Sequence, residues 1–389
     1  MNADAPPATD FAVYLHWPFC QSKCPYCDFN SHVAASVDQG EWAGAFEREI
    51  ERLARETAGR TISSVYFGGG TPSLMDARTV DRIMRALRKS WPMRNSVEVT
   101  LEANPSSVEA ARFRGYRDAG VNRVSMGFQA LNDGDLRKLG RLHDTKTALQ
   151  ALEVARGQFD RVSFDLIYAR QDQTLEDWGQ ELRRALGLGP THLSLYQLTI
   201  EDGTAFAQRH SSGGLHGLPN EDLAADMYLL TQQICEDAGL PAYEVSNHAA
   251  PGQESYHNLT YWRGGDYLGI GPGAHGRLTL NGRRYATVSP NSPSAWLESV
   301  LSHSNGESPR TLMSQQDWAE ETLLMGLRMT EGLDLRRLEA VRGKAFDWTT
   351  LGNLVQLGML SLQGDRAIAT RTGRLVLNAV IREIAIAAL

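Results

Sequence analysis

Between residues 12 and 200, short runs rich in β-branched and aromatic residues alternate with amphipathic segments. The runs are AVYLHW (12–17), ISSVYFGGG (62–70), VEVTLEANP (97–105), RVSMGFQ (123–129), RVSFDLIY (161–168) and HLSLYQLTI (192–200). Each reads as a strand leading into a polar or glycine-rich loop. Helical periods separate them. In DARTVDRIMRALRKSW (76–91), Asp76 is the expected N-cap, and Val80, Ile83, Met84 and Leu87 share one face. Strands alternating with helices predict parallel βα units. Six of them predict an α/β fold, an incomplete (βα)6 TIM-like barrel open on one side, over residues 1–205.

In such barrels chemistry gathers at the C-terminal ends of the strands. The six strand ends here offer a cysteine loop, a triple glycine, Glu102, Gln129, Asp165 and the Tyr196–Gln197 region. After residue 205 the rhythm breaks. SSGGLHGLPN (211–220) reads as a loop before an amphipathic helix near 221–238, and Asn281-Gly282 signals a hairpin. Residues 289–296 are turn-rich, and SHSNGESP (302–309) reads as a linker. This divides the chain into the barrel, an extension over 206–305 with extra β elements, and a helical module over 306–389. The module pairs several helices with a short hairpin around Gly364-Asp365, in the manner of a winged helix.

Charge narrows the partners. The chain carries 39 basic and 46 acidic residues, a formal net charge of −7, and the C-terminal module has no basic excess. Nucleic acid is not the expected partner. The start, MNADAPPATDF, lacks the basic flank and apolar run of a signal peptide. The apolar stretch LVLNAVIREIAIAAL is broken by Arg382 and Glu383 and is shorter than the roughly 20 residues that span a bilayer. The expectation is a cytoplasmic protein without a transmembrane segment, in a compartment where thiols stay reduced and clustered cysteines bind metal.

Three of the four cysteines, Cys20, Cys24 and Cys27, fall in FCQSKCPYCDFNSH with C-x3-C-x2-C spacing. Incidental thiols are a poor account of three together in a polar loop. A zinc site completed by His16 or His32 is chemically open. So is a [4Fe–4S] cluster held by three thiolates with one iron left free. In YFGGGTPS (66–73) a tight turn explains one glycine but not three; backbone without Cβ lets a ligand come close. Glu102 and Asp165 are carboxylates in otherwise apolar strands, and each needs a partner. Arg141 suits a ligand carboxylate, which guanidinium binds in two-pronged fashion. In YHNLTYWRGGDYLGIGPGAHG (256–276), His257, Tyr261 and Trp262 either pack on the barrel or hold a flat apolar macrocycle, with histidine as an axial iron ligand. Cys235, within an amphipathic helix, reads as a small core residue.

The cysteine motif, with Tyr26 before its last member, resembles that of the radical S-adenosylmethionine superfamily. Over nearly the whole chain, YLHWPFCQSKCPYCDFNSH, YFGGGTPS, LEANP, NRVSMGFQ, LGRLH, LSLYQLTIE, HNLTYW and YLGIGPGAHG resemble the HemW family. These are haem-chaperone relatives of the oxygen-independent coproporphyrinogen III dehydrogenases, the HemN family. HemN-type enzymes carry a further cysteine where this chain has Phe29, and they lack the H-N-x-x-Y-W motif. The resemblance implies a [4Fe–4S] cluster on Cys20, Cys24 and Cys27. It implies S-adenosylmethionine contacts at Tyr14, Tyr26, Gly69, Gly70, Thr71, Glu102, Gln129, Arg141 and Asp165. It also implies haem binding, peripheral contact with membrane-bound respiratory components and haem transfer to respiratory enzymes, without coproporphyrinogen oxidation. Ala169, Arg170 and Gln171 depart from the Gly-Leu-Pro that relatives carry after the fifth strand, which changes the turn beside Asp165.

Overall fold

The computed structural model describes residues 11–106, 110–344 and 348–388; the leading segment MNADAPPATD lies outside them. The six predicted strands are present as β1 (Phe11–Trp17), β2 (Ile62–Gly69), β3 (Met93–Ala103), β4 (Arg123–Gln129), β5 (Arg161–Tyr168) and β6 (His192–Gln197). They lie side by side in chain order, all parallel. This is the incomplete TIM-like barrel that the alternation implies.

The sheet continues beyond both edges. A short strand β7 (Asn247–Ala249) pairs antiparallel with β6, while β8 (Asp266–Ile270) pairs parallel with β1. The hairpin β9 (His275–Leu280) and β10 (Arg283–Val288), then β11 (Thr311–Leu312), complete eleven strands. Asn281 and Gly282 turn that hairpin with φ of 51° and 74°, as an Asn-Gly turn with both central residues left-handed requires. β7 and β8 do not pair with each other, so the barrel stays open between them. The short helix Tyr256–Trp262 lies there and packs on β1, β2 and β8.

One hydrophobic core runs through barrel and extension, from Val13 and Phe67 to Leu278 and Trp296. Trp42, on the helix Gln39–Glu56, stacks on Trp296 of the helix Pro293–His303 at 5.5 Å. Cys235 is fully buried in the helix Glu221–Asp237. The C-terminal module has a separate core built on Leu323, Leu335, Leu338, Leu351 and Ile384. Its hairpin, Leu360–Gln363 with Arg366–Ala369, turns at Gly364. Among the described residues, no helix is long and apolar enough to cross a membrane.

Candidate functional site

The cysteine loop leaves β1 and folds back on itself. Phe19 and Cys20 pair with His32 and Val33 as a two-strand ribbon, and the Cys27 N–H donates to Cys24 O at 3.2 Å. All three thiols are partly exposed. Burial pushes Cys20 and Cys27 up, and the neighbouring thiols add to it. His16 uses both ring nitrogens, accepting from Tyr14 OH at 3.0 Å and donating to Asn30 O at 2.9 Å. His32 Nε2 meets Asn30 Oδ1 at 3.1 Å. Among the described residues, no three His, Cys, Asp or Glu side chains converge tightly enough to hold a single ion. One zinc ion needs thiolates about 4 Å apart, given its short Zn–S bonds. A [4Fe–4S] cubane takes each thiolate on a different iron, and three part-exposed thiols in one loop are a donor set of that kind.

A hydrogen-bonded arc runs between two of these thiols. Thr71 Oγ1 meets Cys20 Sγ at 3.4 Å, and Asn104 Nδ2 donates to Thr71 Oγ1 at 3.3 Å. Arg141 then donates to Asn104 Oδ1, to Gly127 O at 3.0 Å and to Cys24 Sγ at 3.4 Å. The triple glycine is what lets β2 approach this loop. A Cβ on Gly70 would stand 2.8 Å from Phe19 O and 3.0 Å from Cys20 Sγ, while Gly69 has φ of 113°. The Gly70 and Thr71 amides are already spent on Trp17 O and Phe19 O.

Two further polar atoms near this arc lack partners. Gln129 ends β4 in the left-handed region, at φ 70°, with its buried Oε1 unbonded. Strain of this kind is concentrated at functional sites. Arg141 Nε is likewise buried and unbonded. Both side chains flank Gly127, where a Cβ would stand 3.0 Å from Gln129 Nε2 and 3.4 Å from Arg141 Nη2. Tyr26 packs with Leu136, Leu139 and Ile167 beneath the loop.

Deeper in the lumen lies a second group. Tyr66 OH donates to Glu102 Oε1 at 2.8 Å, and Ser125 Oγ to Asp165 Oδ1 at 3.3 Å. Burial pushes Glu102 up to about 7, partly offset by Tyr66, with Asp165 raising it further. Burial likewise lifts Asp165 to about 6, against the hydrogen bond from Ser194. These carboxylates line a chamber of about 210 Å³ whose walls include Arg123, His192, Tyr196, Asn247, His257 and Tyr261. Every lining side chain is polar, whereas barrel interiors of this kind are ordinarily filled with branched apolar residues.

His257 is nearly sealed inside. Its ring stacks on Tyr66 at 4.7 Å and Tyr14 at 5.9 Å, with the Tyr261 ring at its edge, also 5.9 Å away. Burial, reinforced by Arg123, holds its pKa down at about 3. The imidazole is therefore neutral, and its Nδ1 has no hydrogen-bond partner. Trp262 stands outside the chamber, 5.0 Å from the Tyr261 ring, with Nε1 buried and unbonded. The structure thus gathers the named residues into two adjoining groups, joined where the Gly69 amide reaches Glu102. Asn104, within the first group, and Tyr66, within the second, carry no sequence signal beyond their places in LEANP and YFGGGTPS.

After β5, Ala169 takes φ 58° and Arg170 is buried. Arg170 pairs with Asp135 at 3.0 Å and Glu181 at 2.5 Å, tying the end of β5 to two helices. An ion-paired hub fixes the turn after Asp165.

An open βα barrel with three clustered thiols and polar strand ends defines a radical S-adenosylmethionine protein, and the Radical SAM superfamily model matches residues 14–185. The HemN C-terminal domain model matches residues 313–376. The chain is 35% identical over 375 residues to "Heme chaperone HemW" of Escherichia coli, covering 95% of this chain and 97% of that protein. It is 39% identical over 362 residues to the mouse "Radical S-adenosyl methionine domain-containing protein 1, mitochondrial", covering 92% and 82% respectively. By this likeness the chain belongs to the HemW family. Its fold matches the solved coproporphyrinogen III oxidase HemN of E. coli, with a TM-score of 0.80 at 24% identity, over 97% of this chain and 89% of that one.

Proposed function

We propose that this protein is a haem chaperone of the cytoplasm that passes haem to respiratory enzymes, meeting them as a peripheral partner at the membrane. In this reading Cys20, Cys24 and Cys27 hold a [4Fe–4S] cluster. Tyr14, Tyr26, Gly69, Gly70, Thr71, Glu102, Gln129, Arg141 and Asp165 surround S-adenosylmethionine, and His257 ligates haem beside Tyr261 and Trp262. The relatives named haem chaperones support it. When bound, the cluster supplies a free iron to chelate the methionyl group and an electron for the sulfonium. The chain's own part is to orient: Arg141 offers guanidinium to the carboxylate, Gln129 an uncommitted carbonyl, and Glu102 and Asp165 acceptors for ribose hydroxyls.

The observation that carries the carrier reading is the helix Tyr256–Trp262, which occupies the barrel opening and puts His257 against Tyr66 and Tyr14. The chamber behind it, about 210 Å³, lies below the roughly 300–1,000 Å³ of ordinary small-molecule pockets. A neutral imidazole with a free nitrogen is also the form that binds iron. Incubating the reduced, cluster-loaded protein with S-adenosylmethionine and coproporphyrinogen III tests the alternative, an oxygen-independent decarboxylase. We expect the porphyrinogen to be recovered unchanged; its conversion to the divinyl product would overturn the carrier reading.

The two raised carboxyls set a pH dependence. Between their ordinary values and their folded values of about 6 and 7, the folded chain holds more protons than the unfolded one. The contribution of these groups to stability therefore falls as pH rises through that window. A sulfonium ligand favours the ionised carboxylates, so its binding tightens over the same range. Calorimetry is expected to show S-adenosylmethionine binding about tenfold more tightly near pH 8 than near pH 5.5. Glu102→Gln should flatten most of that slope, whereas an unchanged slope would remove Glu102 from the site.

A further inference from the structure

The helix that carries His257 is held at both ends, by different parts of the chain. At its start, Glu98 accepts from Ser255 Oγ and from the His257 amide, each at 3.3 Å. Arg161 donates to Glu98 at 2.6 Å, and to Gln253 O and Glu254 O at 2.6 and 2.8 Å. At its end the grip comes from the C-terminal module. Arg337, on the helix Leu335–Arg342, donates to Arg263 O and, at 2.8 Å, to Gly264 O. The fit is close: Gly264 has φ 64°, and a Cβ there would stand 2.7 Å from Arg337 Nη2. Arg263 makes a two-pronged pair with Glu331 at 2.9 and 2.7 Å. Tyr243 adds a third link. Its hydroxyl accepts from Asn258 Nδ2 at 3.1 Å, and its carbonyl accepts from the Thr330 amide at 3.0 Å and hydroxyl at 3.1 Å.

The two grips differ in kind. Glu98 is 1% exposed, and breaking a buried pair is costly. The Arg263 and Glu331 side chains are 47% and 34% exposed, and such pairs are weak. Carbonyls at a helix C-terminus are unsatisfied within the helix and carry partial negative charge, which Arg337 answers. The module that supplies Arg337 and Glu331 has its own hydrophobic core, and much of what ties it to the extension is polar, as where Glu321 pairs with Arg277 at 2.7 Å.

We propose that the C-terminal module is a latch on the helix Tyr256–Trp262, with Arg337 and Arg263 as its positioning residues. Engaged, it keeps His257 packed against Tyr14 and Tyr66. When the module shifts, the last turn of the helix loosens first and the imidazole opens to an iron macrocycle, while the Glu98 grip keeps the helix attached to the barrel. The inference rests on the haem-ligand reading of His257, and its test separates the two.

Hydrogen exchange over residues 256–264 of the cluster-loaded, haem-free protein reads the latch alone. Stopped-flow mixing with haemin reads its consequence. Arg337→Ala and Arg263→Glu are expected to speed exchange in that segment about tenfold and to raise the haem association rate severalfold. Iron content and the spectral response to S-adenosylmethionine should stay as in the wild type, which general unfolding would not allow. Combining Arg263→Glu with Glu331→Arg rebuilds the pair in reverse and should restore slow exchange and slow association. Wild-type exchange and association in both single variants would overturn the latch. Faster exchange in the variants, with no haem bound even by the wild type, would keep the latch and overturn the haem reading instead.

Discussion

Cys20→Ala, Cys24→Ala and Cys27→Ala are each expected to abolish the iron–sulfur cluster, while Cys235→Ala leaves it intact. Three thiolates are the minimum for a cubane with one free iron, so losing any one removes an anchor that nothing nearby replaces. His16 is committed to Tyr14 and Asn30. Cys235 is buried in a helix, with its thiol pushed up to about 12 by that burial. Anaerobically reconstituted wild type should carry about four iron and four sulfide per chain, and each triad variant close to none. Full iron in a triad variant, or zinc in place of iron in an active protein, would contradict the assignment.

The second large effect belongs to His257. Replacing it with alanine is expected to weaken haem binding tenfold or more, about 1.4 kcal/mol or above, and to block transfer to an apo-acceptor. The cluster should survive, because His257 shares no hydrogen bond with the cysteine loop: its amide goes to Glu98, and its ring lies among Tyr14, Tyr66 and Tyr261. His257→Met, which offers another axial ligand in a similar volume, should keep part of the binding. Haem absorption spectra separate a lost ligand from a lost fold. Affinity and transfer equal to wild type in the alanine variant would return His257 to a packing role.

The barrel strands were legible because each is a hydrophobic run with a turn signal at its end; β4 and β5 match residue for residue. β3 starts at Met93, before its hydrophobic run, because the exposed residues Arg94, Asn95 and Ser96 extend the strand without any apolar pattern. Asp76 does occupy the N-cap position, yet its side chain makes no capping bond; its amide instead donates to Gln39 Oε1 at 3.1 Å. The turn-rich reading of 289–296 missed a helix start, with Ser292 as cap and Pro293 in the first turn.

Within the site, the residue types that carry chemistry could be read locally, but their partners could not. The arc from Thr71 through Asn104 to Arg141, and the Arg170 hub, join residues 11 to 37 positions apart. Such pairs leave no periodicity. The left-handed Gln129 was equally hidden, since that conformation is imposed by the surroundings and not by the residue. The helix Tyr256–Trp262 is too short to show a helical period and is followed by glycines, so it resembled a loop. Its place at the barrel opening is visible only in three dimensions.

The claim that a radical S-adenosylmethionine barrel here serves as a haem carrier is tested most directly by titrating haem into the anaerobically reconstituted wild-type protein. The account predicts saturable binding at one haem per chain, with the shifted absorption band of histidine-ligated iron. Absence of saturable binding, with the cluster intact, would contradict it.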